Sequence, residues 1–181
     1  MFENLYKGKR VLITGHTGFK GSWLCAWLLD LGATVAGYSV DVPTEPSHFE
    51  ALDLASRIEH IQGDVRNKRF LKEALNKFNP DIVFHLAAQP LVRESYENPI
   101  LTFETNSLGT LNLLDCMRDP SSVAAIVLIT SDKCYENVEW LWGYRENDRL
   151  GGKDPYSASK ACAEIISKVY MESYFGDKGP A

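Results

Sequence analysis

Lys9-Arg10-Val11-Leu12-Ile13-Thr14-Gly15-His16-Thr17-Gly18-Phe19-Lys20-Gly21 is the stretch that decides the fold. Its first half is a short apolar, β-branched run that reads as a strand, and it passes directly into glycines spaced G-x-x-G-x-x-G. From Phe19 onward Trp23, Leu24, Trp27, Leu28 and Leu31 recur at three- and four-residue steps. That spacing predicts an amphipathic helix with both tryptophans in its core face. Gly32 stands where a helix C-terminus favours glycine. A strand, a glycine turn and a helix in this order suit a dinucleotide. The turn is tight, the backbone can approach a pyrophosphate, and the helix start offers free N–H groups to the anion. Any strand-to-helix connection can need a glycine, so the turn gains its weight from the residues that follow.

Working outward, short β-branched runs alternate with helical ones. Strands are expected at 33–40, 58–62, 81–86 and 123–130, and helices around 70–78, 99–117 and 155–175. The unbroken apolar run of the fifth strand predicts burial on both faces of a parallel sheet. Such alternation means crossover helices and a doubly wound α/β fold, with residues 1–181 as one Rossmann-type domain. The closing loop, Gly176 to Ala181, stands where a sixth strand would come. The chain is therefore expected to be the N-terminal part of a longer protein, without that strand and without a C-terminal substrate domain.

The net charge is −5 and no Lys/Arg cluster occurs, which argues against nucleic acid as a partner. Apolar stretches break within about ten residues, too short to span a bilayer. No basic-then-apolar leader opens the chain, and Cys25, Cys116, Cys134 and Cys162 form no C-x-x-C pair. Reduced thiols in the cytoplasm are expected, with no membrane partner and no metal.

Tyr156-Ser157-Ala158-Ser159-Lys160 sets a phenol and an ammonium one helical turn apart, on one face. A cation beside a phenol favours the phenolate, which can take a proton from an alcohol while hydride leaves for a nicotinamide. Lys160 can also donate to the nicotinamide ribose. Asp41, twenty positions past Gly21, is the candidate for the adenosine ribose, although Ser39 stands at the expected strand end. A solvated loop carboxylate is the competing reading of Asp41. No arginine follows the second strand to hold a 2′-phosphate, which favours NAD over NADP. Asp64 is placed to accept from the adenine amino group, or is a plain turn aspartate. His85 reads as a packed, hydrogen-bonded core histidine. Trp140 and Trp142 lie in a loop at the site's edge, as a substrate floor or as lid packing.

Taken together, the Thr14–Gly21 turn, Gly63-Asp64-Val65-Arg66, His85-Leu86-Ala87-Ala88-Gln89, Asn106-x-x-Gly109-Thr110 and Tyr156–Lys160 resemble the extended short-chain dehydrogenase/reductases across essentially the whole chain. The narrower likeness, on residues 15–24, 87–92, 130–135 and 139–146, is to the sugar-nucleotide 4,6-dehydratases that act on CDP-glucose. The resemblance implies NAD held by Gly15, Thr17, Gly18, Phe19, Lys20, Gly21, Asp41, Asp64, Val65, Leu86, Ala87, Ala88, Gln89, Tyr156 and Lys160. It implies a nucleotide-linked hexose substrate held by Gln89, Asn106 and Ser131. Oxidation at carbon 4, loss of water across carbons 5 and 6, and hydride return to carbon 6 would follow. Ser131 would bond the 4-hydroxyl and Asp132 would protonate the departing 6-hydroxyl. Lys133 stands where related dehydratases carry a glutamate base, which leaves the carbon 5 base open. A homodimer through the helices at 99–117 and 156–175 is also implied. A nucleotide-sugar 4-epimerase shares every motif through the hydride step. A dinucleotide-sensing protein would be expected to lose Tyr156 or Lys160, and both are present.

Overall fold

A computed structural model describes residues 2–118, 123–176 and 180. The chain forms a five-stranded parallel sheet in the order β3-β2-β1-β4-β5, the doubly wound arrangement expected. The strands are β1 (Arg10–Thr14), β2 (Thr34–Ser39), β3 (Glu59–Gln62), β4 (Ile82–His85) and β5 (Ala125–Leu128). The sequence order reverses between β1 and β4. Ligands of such sheets bind outside the strands' C-terminal ends at this switch point.

The helices are α1 (Phe19–Asp30), two single turns α2 (His48–Ala51) and α3 (Leu54–Arg57), α4 (Lys68–Phe78), α5 (Val92–Glu97), α6 (Pro99–Phe103), α7 (Gly109–Cys116) and α8 (Pro155–Tyr170). One apolar layer is built from Leu12, Leu71, Phe78, Val83, Leu113 and Leu114, between the sheet and α4, α7 and α8. The other, around Val11, Ile13, Cys25, Leu28 and Val35, lies between the sheet and α1 to α3. No helix among the described residues is long and apolar enough to cross a membrane. Most of the closing loop at 176–181 lies outside the described residues.

Three expectations need correction. The buried face of α1 is Gly21, Ser22, Cys25 and Leu28, while Phe19, Trp23 and Trp27 are 74%, 55% and 48% exposed. Close approach explains the reversal. A Cβ on Gly21 would lie 2.2 Å from the carbonyl oxygen of Gly15, so the helix meets the sheet through its small residues. The displaced rings rest on local partners, Trp23 stacked on His48 and Trp27 edge-on to Phe2.

The second correction concerns β5, which among the described residues stands at one edge of the sheet, with Val127 39% exposed. Ile126 and Leu128 pack on the first layer. The second layer reaches no further than Ile82 and Phe84 of β4, so among the described residues it does not extend over β5.

Third, the single helix expected at 99–117 is interrupted by a π-helical turn, Glu104–Leu108, between α6 and α7. The last helix likewise ends in a π turn, Met171–Phe175. Such wide turns frequently sit beside functional sites.

Candidate active site

The glycine turn is shaped by contacts on both sides. Gly15 has φ +72, a region L side chains rarely adopt, and a Cβ there would meet the Ala87 nitrogen at 2.7 Å. The turn between β1 and α1 is thus pressed against the segment that follows β4. A buried hydrogen-bond chain fixes that contact. Thr14 Oγ1 lies 2.7 Å from His85 Nδ1, His85 Nε2 lies 3.1 Å from Thr110 Oγ1, and the Ala87 N–H donates to Thr14 Oγ1. His85 is the packed histidine the sequence suggests, and burial, with repulsion from Lys160, holds its pKa down to about 3. His16 was not singled out by sequence, yet its ring is fully buried beneath the turn. It meets Ser39 Oγ at 2.9 Å and His60 Nδ1 at 2.7 Å. Burial and the neighbouring His60 bring His16 down to about 4. Both imidazoles are therefore neutral struts near neutral pH.

Above the turn lies a cleft of about 680 Å³. Gly15, Thr17, Gly18, Phe19, Lys20 and Gly21 line one end, and α1 starts there from Gly18 with no side-chain cap on its free N–H groups. Asp41 and Asp64 line the same cleft. Thr17 donates to the Asp41 carbonyl at 2.6 Å, which ties the turn to the end of β2 and leaves the Asp41 carboxylate exposed on the wall. Arg66 grips both oxygens of Asp64. Burial opposes ionisation of Asp64, but the Arg66 bonds outweigh it and hold the carboxyl below its ordinary range. Val65, Leu86, Ala87, Ala88 and Gln89 complete the middle of the wall.

Tyr156 and Lys160 face the cleft from the start of α8, together with Ile129 and Thr130 from the end of β5. Asp154 caps that helix, accepting from the Ser157 N–H at 2.9 Å and from the Ser157 hydroxyl at 2.6 Å, and so sets the phenol one turn ahead of the ammonium. Lys160 is 6% exposed and donates to the Ile129 carbonyl at 3.1 Å. Burial and repulsion from Lys20 bring it down to about 8, with Glu164 pulling the other way.

The turn Asp132–Cys134 follows directly, with Ser131 as its cap. The Ser131 hydroxyl accepts from the Lys133 N–H and donates to Asp132 Oδ1 at 3.1 Å. Asp132 and Lys133 are exposed, two and three residues beyond the cleft wall at Thr130.

Asn106 is not at the cleft. It is 1% exposed, and its amide is engaged with the Gln89 backbone and with Ser159 Oγ. The Gln89 side chain is likewise committed, to Leu91 and Thr102. Asn106, carried by the π turn, therefore fixes the cleft wall from behind by joining the segment after β4 to α8. Trp142 is 72% exposed and lines no part of the cleft. The cleft fits a dinucleotide: Gly15 and Gly21, where a Cβ would strike backbone, lie at one end and a phenol-ammonium pair at the other. Among the described residues no group of three metal-ligating side chains occurs.

Comparison with known proteins agrees with this geometry. The family profile described as GDP-mannose 4,6 dehydratase matches residues 12–176. The chain is 53% identical to CDP-glucose 4,6-dehydratase of Salmonella typhimurium, over 96% of its own length and 48% of that protein. It is 32% identical to CDP-paratose 2-epimerase of Salmonella typhi, over 91% of its length and 52% of that protein. Among solved structures, UDP-glucose 4-epimerase of Thermus thermophilus, in complex with NAD, superposes with a TM-score of 0.80 at 35% identity, covering 91% of this chain and 51% of the other. A dTDP-glucose 4,6-dehydratase from Streptomyces venezuelae with NAD bound gives 0.80 at 28% identity, covering 91% and 52%. The chain spans about half the length of the curated relatives it matches.

Proposed function

The chain belongs to the GDP-mannose 4,6 dehydratase family of short-chain dehydrogenase/reductases, and we propose that it is the cofactor-binding half of a CDP-glucose 4,6-dehydratase. The reaction is CDP-glucose to CDP-4-keto-6-deoxyglucose and water. The reading is carried by one juxtaposition: Tyr156 and Lys160 share a cleft with the glycine turn, next to Ser131-Asp132-Lys133. The 53% identity to a CDP-glucose 4,6-dehydratase supports the choice of substrate. NAD, when bound, accepts hydride from carbon 4 of the hexose and returns it to carbon 6.

The residues do the rest. Gly15, Gly18 and Gly21 admit the diphosphate against the start of α1, Asp41 accepts from the adenosine ribose, and Asp64 accepts from the adenine amino group. Lys160 donates to the nicotinamide ribose and favours the Tyr156 phenolate, which removes the 4-hydroxyl proton. Ser131 orients that hydroxyl. Once carbon 4 is a ketone, the carbon 5 proton is acidic. Lys133 removes it or stabilises the enolate, and Asp132 delivers a proton to the 6-hydroxyl as it leaves. On this reading the protein works in the reduced cytoplasm, where its four cysteines are free thiols. It is a homodimer through the outer faces of α6 to α8, where Ile100, Leu108, Ile165 and Val169 stand exposed. Light scattering of the full-length protein tests that contact, and a monomer at high micromolar concentration would remove it.

Mass spectrometry of the full-length enzyme incubated with CDP-glucose and NAD tests the activity. A product lighter by one water is expected. An isomer of unchanged mass would establish an epimerase instead, and unchanged substrate alongside bound NAD a sensing role. The 181-residue chain alone should bind NAD without turnover.

A further inference from the structure

Glu164 is absent from every motif quoted above, yet it sits one turn beyond Lys160 on α8, facing the end of β5. Thr130, on the cleft wall, donates its hydroxyl to Glu164 Oε1. The preceding residue, Ile129, accepts from Lys160 Nζ at 3.1 Å. Two consecutive residues of the β5 end are thus fastened to two consecutive turns of α8, one through a cation and one through an anion. Thr130 leads directly into Ser131-Asp132-Lys133, so this double tie sets where that turn stands relative to Tyr156.

Charge gives Glu164 a second task. Lys160 is almost fully buried, and the groups around it are unequal. Lys20 from the start of α1 repels it, His85 from β4 is buried and neutral, and Tyr156 precedes it on α8. Glu164 is the carboxylate that acts in its favour. Its field also reaches the buried thiol of Cys134, which burial first and Glu164 second push up, so the carboxylate lies behind the whole 130–134 segment.

We propose that Glu164 is a positioning residue for the dehydratase site, supplying the counter-charge that keeps buried Lys160 an ammonium and the hydrogen bond that seats the Ser131–Lys133 turn. The proposal rests on the reading of Lys160 as a donor to the cofactor. A buried cation that loses its opposite charge deprotonates at lower pH, and its donor capacity to a ribose falls with it.

The experiment is calorimetric titration of the full-length enzyme with NAD across pH 7 to 10, repeated for two variants. Glu164→Gln keeps an oxygen that can accept from Thr130 but removes the charge. The pH above which NAD affinity falls should move down by about one unit, and Glu164→Asp should restore it. Thr130→Val breaks the tie and leaves the charge. It should leave that pH midpoint in place while lowering kcat about tenfold with little change in KM, as expected when a catalytic turn is misplaced. NAD binding with the same midpoint in Glu164→Gln as in the parent enzyme overturns the proposal and leaves the proposed function standing. Failure of the parent enzyme to bind NAD overturns both.

Discussion

The two ends of the cleft are built differently. At the cofactor end, the turn at residues 15–21 is held by backbone packing against Ala87, by the Thr14–His85–Thr110 chain, and by a fully buried histidine. At the other end, the segment after β5 closes mainly on itself. Glu136 and Arg149 pair through their backbones, Tyr135 bridges to Leu150 and stacks on Tyr144, and Trp140, Leu141 and Trp142 face outward. The first end is determined by the sheet and tolerates little change. The second carries chemical side chains on a surface turn whose geometry depends on a few ties. A dinucleotide presents the same pyrophosphate to every enzyme that uses it, whereas the acid and base must follow the particular sugar.

The largest expected effect tests the exposed end. A Lys133→Met variant of the full-length enzyme should still form NADH in a single turnover, while solvent deuterium entry at carbon 5 and water loss fall by about two to four orders of magnitude. Undiminished deuterium entry removes Lys133 as the base. Absence of NADH moves its role to substrate binding or to the first hydride step, and then the two ends are not separable in function.

The next effect tests the rigid end. Gly21→Ala forces a methyl against the Gly15 carbonyl, and overpacking of this kind costs about 3 kcal/mol. The urea midpoint should fall accordingly and NAD binding should be lost. A variant of normal stability that still bound NAD would show that the turn can shift and that the cofactor end is not the rigid one.

A smaller effect follows from the buried histidines, both at the rigid end. His85 and His16 titrate near 3 and 4 when folded, against 6.5 ordinarily. Above pH 6.5 they are neutral in both states. Below it the unfolded chain takes up protons that the fold refuses, so stability falls from about pH 6.5 toward pH 4. At pH 5 each should cost about 2 kcal/mol relative to pH 8, which denaturant titration at the two values measures. A flat profile would mean that the imidazoles are reached by water. The smallest effect belongs to Trp142→Ala, 72% exposed in the parent chain, which should change stability by less than about 0.5 kcal/mol. A larger loss would show that the outer segment is docked rather than self-supporting.

Sequence alone determined the order of the strands and of the longer helices between them, the glycine turn, and the pairing of Tyr156 with Lys160 on one helix face. Each of these is written in neighbouring residues, through side-chain period, turn chemistry and the spacing of one helical turn. Tertiary structure decided what depends on residues far apart in the chain. Hydrophobicity pointed to the tryptophan stripe of α1, but the helix buries Gly21, Ser22 and Cys25, because backbone approach at Gly15 admits only small side chains. The expected substrate ligand Asn106 became a buried tie between the segment after β4 and α8, carried there by a π turn. Glu164 gave no signal, being a single acidic residue of α8 that stands outside the Tyr156–Lys160 spacing. Only the meeting of α8 with the end of β5 brings it to Thr130 and sets its charge near Lys160.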